Sequence, residues 1–125
     1  MKFQKMQGGR ICKTFKNDCV IRAISFAMDI PYAEAFQDLM ELGMEIGAYP
    51  NCPKVYETYL SRKGWIKMKP PRNSRGKLIR FADWADAPKK AVVHVRRHLT
   101  CVDHGYVVDE WDCRRYCIGT YWAKG

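Results

Sequence analysis

Of the side chains able to carry a reactive anion, Cys19 is the best placed. It falls at the second or third position of an apolar run from about Asp18 to Met28, where the open N–H groups and dipole of a helix start favour negative charge. A thiol so placed ionises more readily, and the thiolate is the form that attacks. Cys12, Cys52, Cys101, Cys113 and Cys117 have no such position. A nucleophilic cysteine needs a base, and the chain offers His94, His98 and His104. His104-Gly105 separates two strand-like runs and reads as a tight hairpin turn. His94 alternates within Ala91 to Val95 and reads as a satisfied core or surface histidine. His98 opens a strand directly after Arg96-Arg97, at a sheet rim, and is the expected base.

The hairpin supplies a third group. With His104 and Gly105 as the two central turn residues, Thr100 faces Asp109 and His98 faces Trp111, and all four side chains share one face. Asp109 is then the diagonal neighbour of His98, at a Cβ spacing of roughly 7 Å, within reach of an imidazole it could orient. A three-residue turn would shift the register by one and pass that role to Asp112. The chemistry these residues suit is acyl transfer. Cys19 would attack an acyl carbon, His98 would move the proton, and Asp109 would steady the imidazolium.

The elements that must position them follow from periodicity. The run from Asp18 to Met28 is apolar around most of a helix circumference, so that helix is buried, with Asn17 or Asp18 as its cap. A second helix is expected from Pro31 to Leu42, ended by Gly43, and a third between Pro53 and Gly64. Trp65 to Met68 alternates weakly as a strand, and Ile79 to Ala85 suits a short helix stopped before Pro88. Ala91 to Val95, Leu99 to Asp103, Tyr106 to Trp111 and Cys117 to Trp122 are rich in strand-forming residues and suit an antiparallel sheet. Helices first and a sheet afterwards is an α+β arrangement. The segment Lys69 to Gly76, with paired prolines, reads as an exposed loop.

Length and composition narrow the class. A chain of 125 residues with 47% hydrophobic residues suits one domain, 1–125, around one core. No stretch approaches the roughly 20 apolar residues needed to cross a bilayer, and the start has no secretory pattern, so a cytoplasmic protein without membrane contact is expected. Twenty-two Lys and Arg against thirteen Asp and Glu give a net charge of +9, which suits an acidic protein partner. The basic residues are scattered without an aromatic-basic nucleic-acid motif, so nucleic acid is not the expected partner. Cys113 and Cys117 have the spacing of half a zinc site, but no second close pair completes it, so neither a metal nor another cofactor is expected.

Asn17-Asp18-Cys19 opening an apolar helix, with His98 far downstream on a hairpin and Asp109-Glu110-Trp111 at its far end, resembles the papain-like cysteine peptidase superfamily. The order Cys, His, Asp matches, as does the Trp of the Asn-Ser-Trp that papain-type enzymes carry at the last site. Bacteriocin-processing peptidases are similar in their Asp-Cys. Small papain-like proteins of bacteriophages resemble the chain in Asn-Asp-Cys-Val-x-Arg-Ala, here Asn17 to Ala23, and in His-Leu-Thr before a Gly turn and a Trp-Asp pair, here His98 to Asp112. The resemblance implies a papain-like fold, with a central helix carrying the Cys packed on a C-terminal sheet. It also implies a protein or peptide substrate and, for a phage protein, the host cytoplasm.

One departure stands out: the family's oxyanion-stabilising Gln, six residues before the Cys, is Lys13 here. Asn17 and the backbone N–H of Cys19 are the expected donors in its place, and Lys13 is itself able to donate. A different class of function fits the same residues. A papain-like scaffold without turnover would serve as a binding module for a host factor or an acidic partner. A nucleic-acid surface built on Arg96-Arg97 and Arg114-Arg115 is a third reading.

Overall fold

The computed structural model describes residues 1–7 and 17–125. Their strand-forming ends enclose a helical middle, in the order β1 (Lys2–Lys5), α1 (Cys19–Met28), α2 (Tyr32–Ile46), α3 (Pro53–Arg62), β2 (Trp65–Met68), β3 (Lys90–Val95), β4 (His98–Asp103), β5 (Tyr106–Asp109) and β6 (Tyr121–Lys124). The architecture is α+β, as its sequence pattern predicts. The strands form one sheet in the order β1-β5-β4-β3-β6-β2. That sheet is mixed, not antiparallel throughout, because β1 runs parallel to β5. Its sequence, Lys-Phe-Gln-Lys, half-buries only Phe3 and carries almost no alternation signal from which a strand could be read.

Alternation along the strands divides the apolar residues into two layers. Val92, Leu99, Cys101 and Trp122 face the three helices, where Ile24, Leu39, Val55 and Leu60 are fully buried. Ala91, Val93, Val95, Val102 and Val107 point the other way, onto Phe81, Trp84, Cys113 and Ile118. The α1 helix packs on β4 and on α2, and its buried positions run almost without interruption from Val20 to Ala27. No described helix is long and apolar enough to cross a membrane.

Several boundaries differ from expectation for identifiable reasons. The α2 helix continues through Gly43 and is ended by Gly47, whose φ of 86° supplies the left-handed cap. Gly43 lacks a side chain because the Ala48 carbonyl folds back over it, and a Cβ there would lie 2.5 Å from that oxygen. Ile79 to Ala85 holds only one 3-10 turn, Phe81–Asp83, which buries Phe81. The last strand begins at Tyr121, and Cys117 forms only an isolated bridge to Arg80. The β5 strand stops at Asp109 because the Asp109 carboxylate accepts the backbone N–H groups of Glu110 and Trp111, at 2.7 and 3.5 Å, and so turns the chain.

Candidate active site

Cys19 is the first residue of α1, and Asp18 is its N-cap. The Asp18 side chain makes no capping bond to the helix. Its Oδ1 accepts from the Arg22 Nε at 3.0 Å and its Oδ2 from the Tyr32 hydroxyl at 2.9 Å. The half-buried Cys19 thiol therefore sits at a helix start, where the dipole favours negative charge, beside an Asp18 carboxylate engaged by Arg22 and Tyr32.

The two hairpins of the sheet bring His98 to that point. Val95 pairs with His98 across the two-residue turn Arg96-Arg97. Farther along, Cys101 pairs with Val108, Val102 with Val107 and Asp103 with Tyr106. That is the register of the two-residue turn at His104-Gly105, where φ is 48° and 84°. Thr100 and Asp109 consequently share a face, and the Thr100 hydroxyl donates to Asp109 Oδ2 at 2.6 Å. The same oxygen lies 2.6 Å from His98 Nε2. His98 lines the same cleft as Cys19, and with Nε2 directed at the carboxylate Nδ1 is the ring nitrogen left for the thiol. The Trp111 ring meets the imidazole edge-on at 5.1 Å between centroids.

The second carboxylate oxygen is equally occupied. Arg22 Nη1 donates to Asp109 Oδ1 at 2.7 Å, beside the Glu110 N–H. Arg22, only 6% exposed, thus joins the carboxylate at the helix cap to the carboxylate behind the imidazole.

This arrangement moves the titrations apart. Burial pushes the Cys19 thiol up, but the His98 hydrogen bond, the Leu99 backbone and the charges of His98 and Arg22 outweigh it and hold the thiol below its ordinary value. Burial pushes His98 down, yet its bonds to Asp109 and Cys19, with their charges, raise it to about 9. Asp109 is held below its ordinary value, the His98 and Thr100 bonds and the Arg22 charge prevailing over burial. Near neutral pH these directions favour a thiolate beside an imidazolium. By contrast, burial raises Cys113 to about 12 and pushes Cys101 higher still.

A cleft of about 200 Å³ opens over the pair, with Asn17, Asn51, Tyr56, His94 and Arg97 in its walls. Asn17 is exposed, and its φ of 58° places it in the left-handed region that asparagine tolerates better than most residues. The half-buried His94 reaches the same cleft, on the helix side of β3. His104 lies at its turn, exposed, with Nδ1 2.5 Å from Asp103. Asp112, the alternative third member, is not brought to His98: its two oxygens bind Arg114 at 2.9 and 2.8 Å. It loses that role because the hairpin turn holds two residues. Lys13 lies outside the described residues. Cys113 is buried and Cys117 exposed. A wider groove of about 690 Å³ between Trp84, Lys89, His104 and Tyr106 has no cysteine, serine or threonine in its walls.

Arg22 is the site residue that reasoning from chemistry passed over. Its signal is present: a lone charge in a helix apolar on every side must be paired when buried, and Asp18 stands one turn before it. The pairing to Asp109 joins residues 87 positions apart and has no local signal. Comparison of the chain with protein-family models, with curated proteins and with solved structures gave no match.

Proposed function

We propose that the chain is a papain-like cysteine hydrolase, a peptidase or isopeptidase that works through an acyl-enzyme. The observation that carries this reading is the His98 imidazole, held 2.6 Å from the Asp109 carboxylate and lining one cleft with Cys19 at the start of α1.

In the proposed cycle the Cys19 thiolate attacks the acyl carbon and a C–S bond forms. The oxyanion takes hydrogen bonds from the Cys19 N–H and the Asn17 amide, each such donor being worth about 3 to 4 kcal/mol of barrier. The C–N bond then breaks as His98 passes its proton to the leaving amine. Water attacks the thioester, His98 takes the proton of that water, and the free acid departs with the thiolate restored. Asp109 keeps the imidazole in the tautomer and orientation both steps require, and Arg22 with Thr100 keeps Asp109 ionised and aimed. No metal or cofactor takes part.

Iodoacetamide labelling near pH 6, read by mass spectrometry of peptides, tests the reaction's first requirement. Cys19 is expected to label well ahead of the other thiols, and His98→Ala to slow it markedly as the thiol returns toward its ordinary value. Uniform, slow labelling of all thiols would overturn the reading and favour a papain-like binding module without turnover.

A further inference from the structure

Beside His98 the surface carries more positive charge than the reacting pair needs. The turn Arg96-Arg97 and the segment 114–116 lie far apart in sequence but meet at Tyr116. The Arg96 guanidinium lies 4.4 Å and that of Arg115 5.0 Å from its ring centroid. Tyr116 in turn packs on Trp111 at 5.3 Å, and Trp111 packs on His98. Arg97, at the next position, is exposed and forms part of the cleft wall over Cys19.

Among the described residues no ion pair holds Arg96, Arg97 or Arg115. Arg22, by contrast, is held by Asp18 and Asp109, and Arg114 by Asp112. Asp112 lies in the field of Arg115, yet both its oxygens are on Arg114. Arg115 also donates Nη2 to the Tyr116 hydroxyl at 3.0 Å. Guanidinium groups held against an aromatic ring in this way lose little further freedom when their remaining N–H groups meet a carboxylate. The backbone of Arg96, with φ 55°, holds the turn that carries Arg97 to the cleft.

We propose that Arg96, Arg97 and Arg115, set against Tyr116 and Trp111, form a substrate subsite for acidic side chains, so that the enzyme takes peptides with Asp or Glu close to the scissile bond. This specificity rests on Cys19 and His98 being the reacting pair. A peptide suits the ridge better than a stacked base, since the Tyr116 ring is already covered by arginine.

Fluorescence anisotropy with fluorescein-labelled hexaglutamate measures the subsite, and iodoacetamide labelling of Cys19 measures the reading beneath it. Hexaglutamate is expected to bind at low salt where hexaglutamine does not, and to slow Cys19 labelling in the wild-type protein. Arg97→Gln and Arg115→Gln should each weaken its binding by about threefold or more, and raised salt should weaken it in the unaltered protein. The proposal is overturned by equal binding of hexaglutamine, by binding that neither substitution weakens, or by bound hexaglutamate that leaves Cys19 labelling unchanged. A hexathymidylate that binds more tightly than hexaglutamate overturns it in favour of nucleic acid. If Cys19 labels no faster than the other thiols while hexaglutamate still binds through these arginines, the hydrolase reading fails. The ridge is then an acidic-peptide surface, not a substrate subsite.

Discussion

At the scale of single residues, the site is governed by one buried arginine between two carboxylates. Arg22→Leu would take the guanidinium away from Asp18 and remove one of the cations facing Asp109. Loss of one partner from a buried pair costs about 3 to 5 kcal/mol, so a large fall in the urea midpoint is expected, read by tryptophan fluorescence. Arg22→Lys should recover only part of it, because one ammonium cannot present separate N–H edges to both carboxylates. Full recovery by lysine would mean that charge alone matters. The pH dependence is set by the imidazole and its carboxylate. His98 is raised to about 9, so its stabilising contribution is complete below its ordinary 6.5 and fades as pH rises through about 9. Asp109 is lowered, so its contribution is present above its ordinary 3.8 and fades on further acidification. In a Cys19→Ala background, which removes the thiol's share of the His98 shift and leaves that of Asp109, the stability lost on His98→Gln should be greatest between 3.8 and 6.5 and shrink as pH rises above 6.5. A loss that is flat with pH would show that the pair does not stabilise the fold by charge.

At the scale of elements, short turns decide what the side chains can do. The left-handed pair His104-Gly105 gives the β4–β5 hairpin its register, and that register places Thr100 and Asp109 on the face of His98. The end of α2 is equally constrained. Gly43→Ala would drive a Cβ against the Ala48 carbonyl, which belongs to backbone and cannot rotate aside. The expected cost is about 1 to 3 kcal/mol in urea unfolding, with slower Cys19 labelling, since the chain from Ala48 runs on to Asn51 in the cleft wall. At Gly47, where a Cβ meets open space, alanine should cost only the left-handed backbone, about 1 to 2 kcal/mol. A Gly43→Ala protein as stable as wild type would show that the turn yields easily.

At the scale of the whole molecule, a single sheet is covered on both faces, and β4 serves both layers: Leu99 and Cys101 face the helices, Val102 the opposite core. The site lies where the two layers share that strand, so the layers should not melt separately. Phe81 is fully buried on the face away from the helices. Phe81→Ala is expected to cost about 3 to 5 kcal/mol, much of the stability of a domain this size. It should do so in one transition, coincident by far-ultraviolet circular dichroism and tryptophan fluorescence. Two separate transitions would show independent layers.

The buried circumference of α1, the two-residue turn at His104-Gly105 and the β4–β5 register were all legible in the residues, because helix burial and hairpin pairing are local and periodic. The nomination of Cys19, His98 and Asp109 drew on a helix start and a hairpin face together with the resemblance to papain-like peptidases. The parallel edge strand β1, the exclusion of Asp112, the bond from Arg22 to Asp109 and the meeting of Arg96 with Tyr116 became visible only in three dimensions. Each joins residues whose separation in the chain carries no period, and a contact of that kind exists only once packing has brought the segments together.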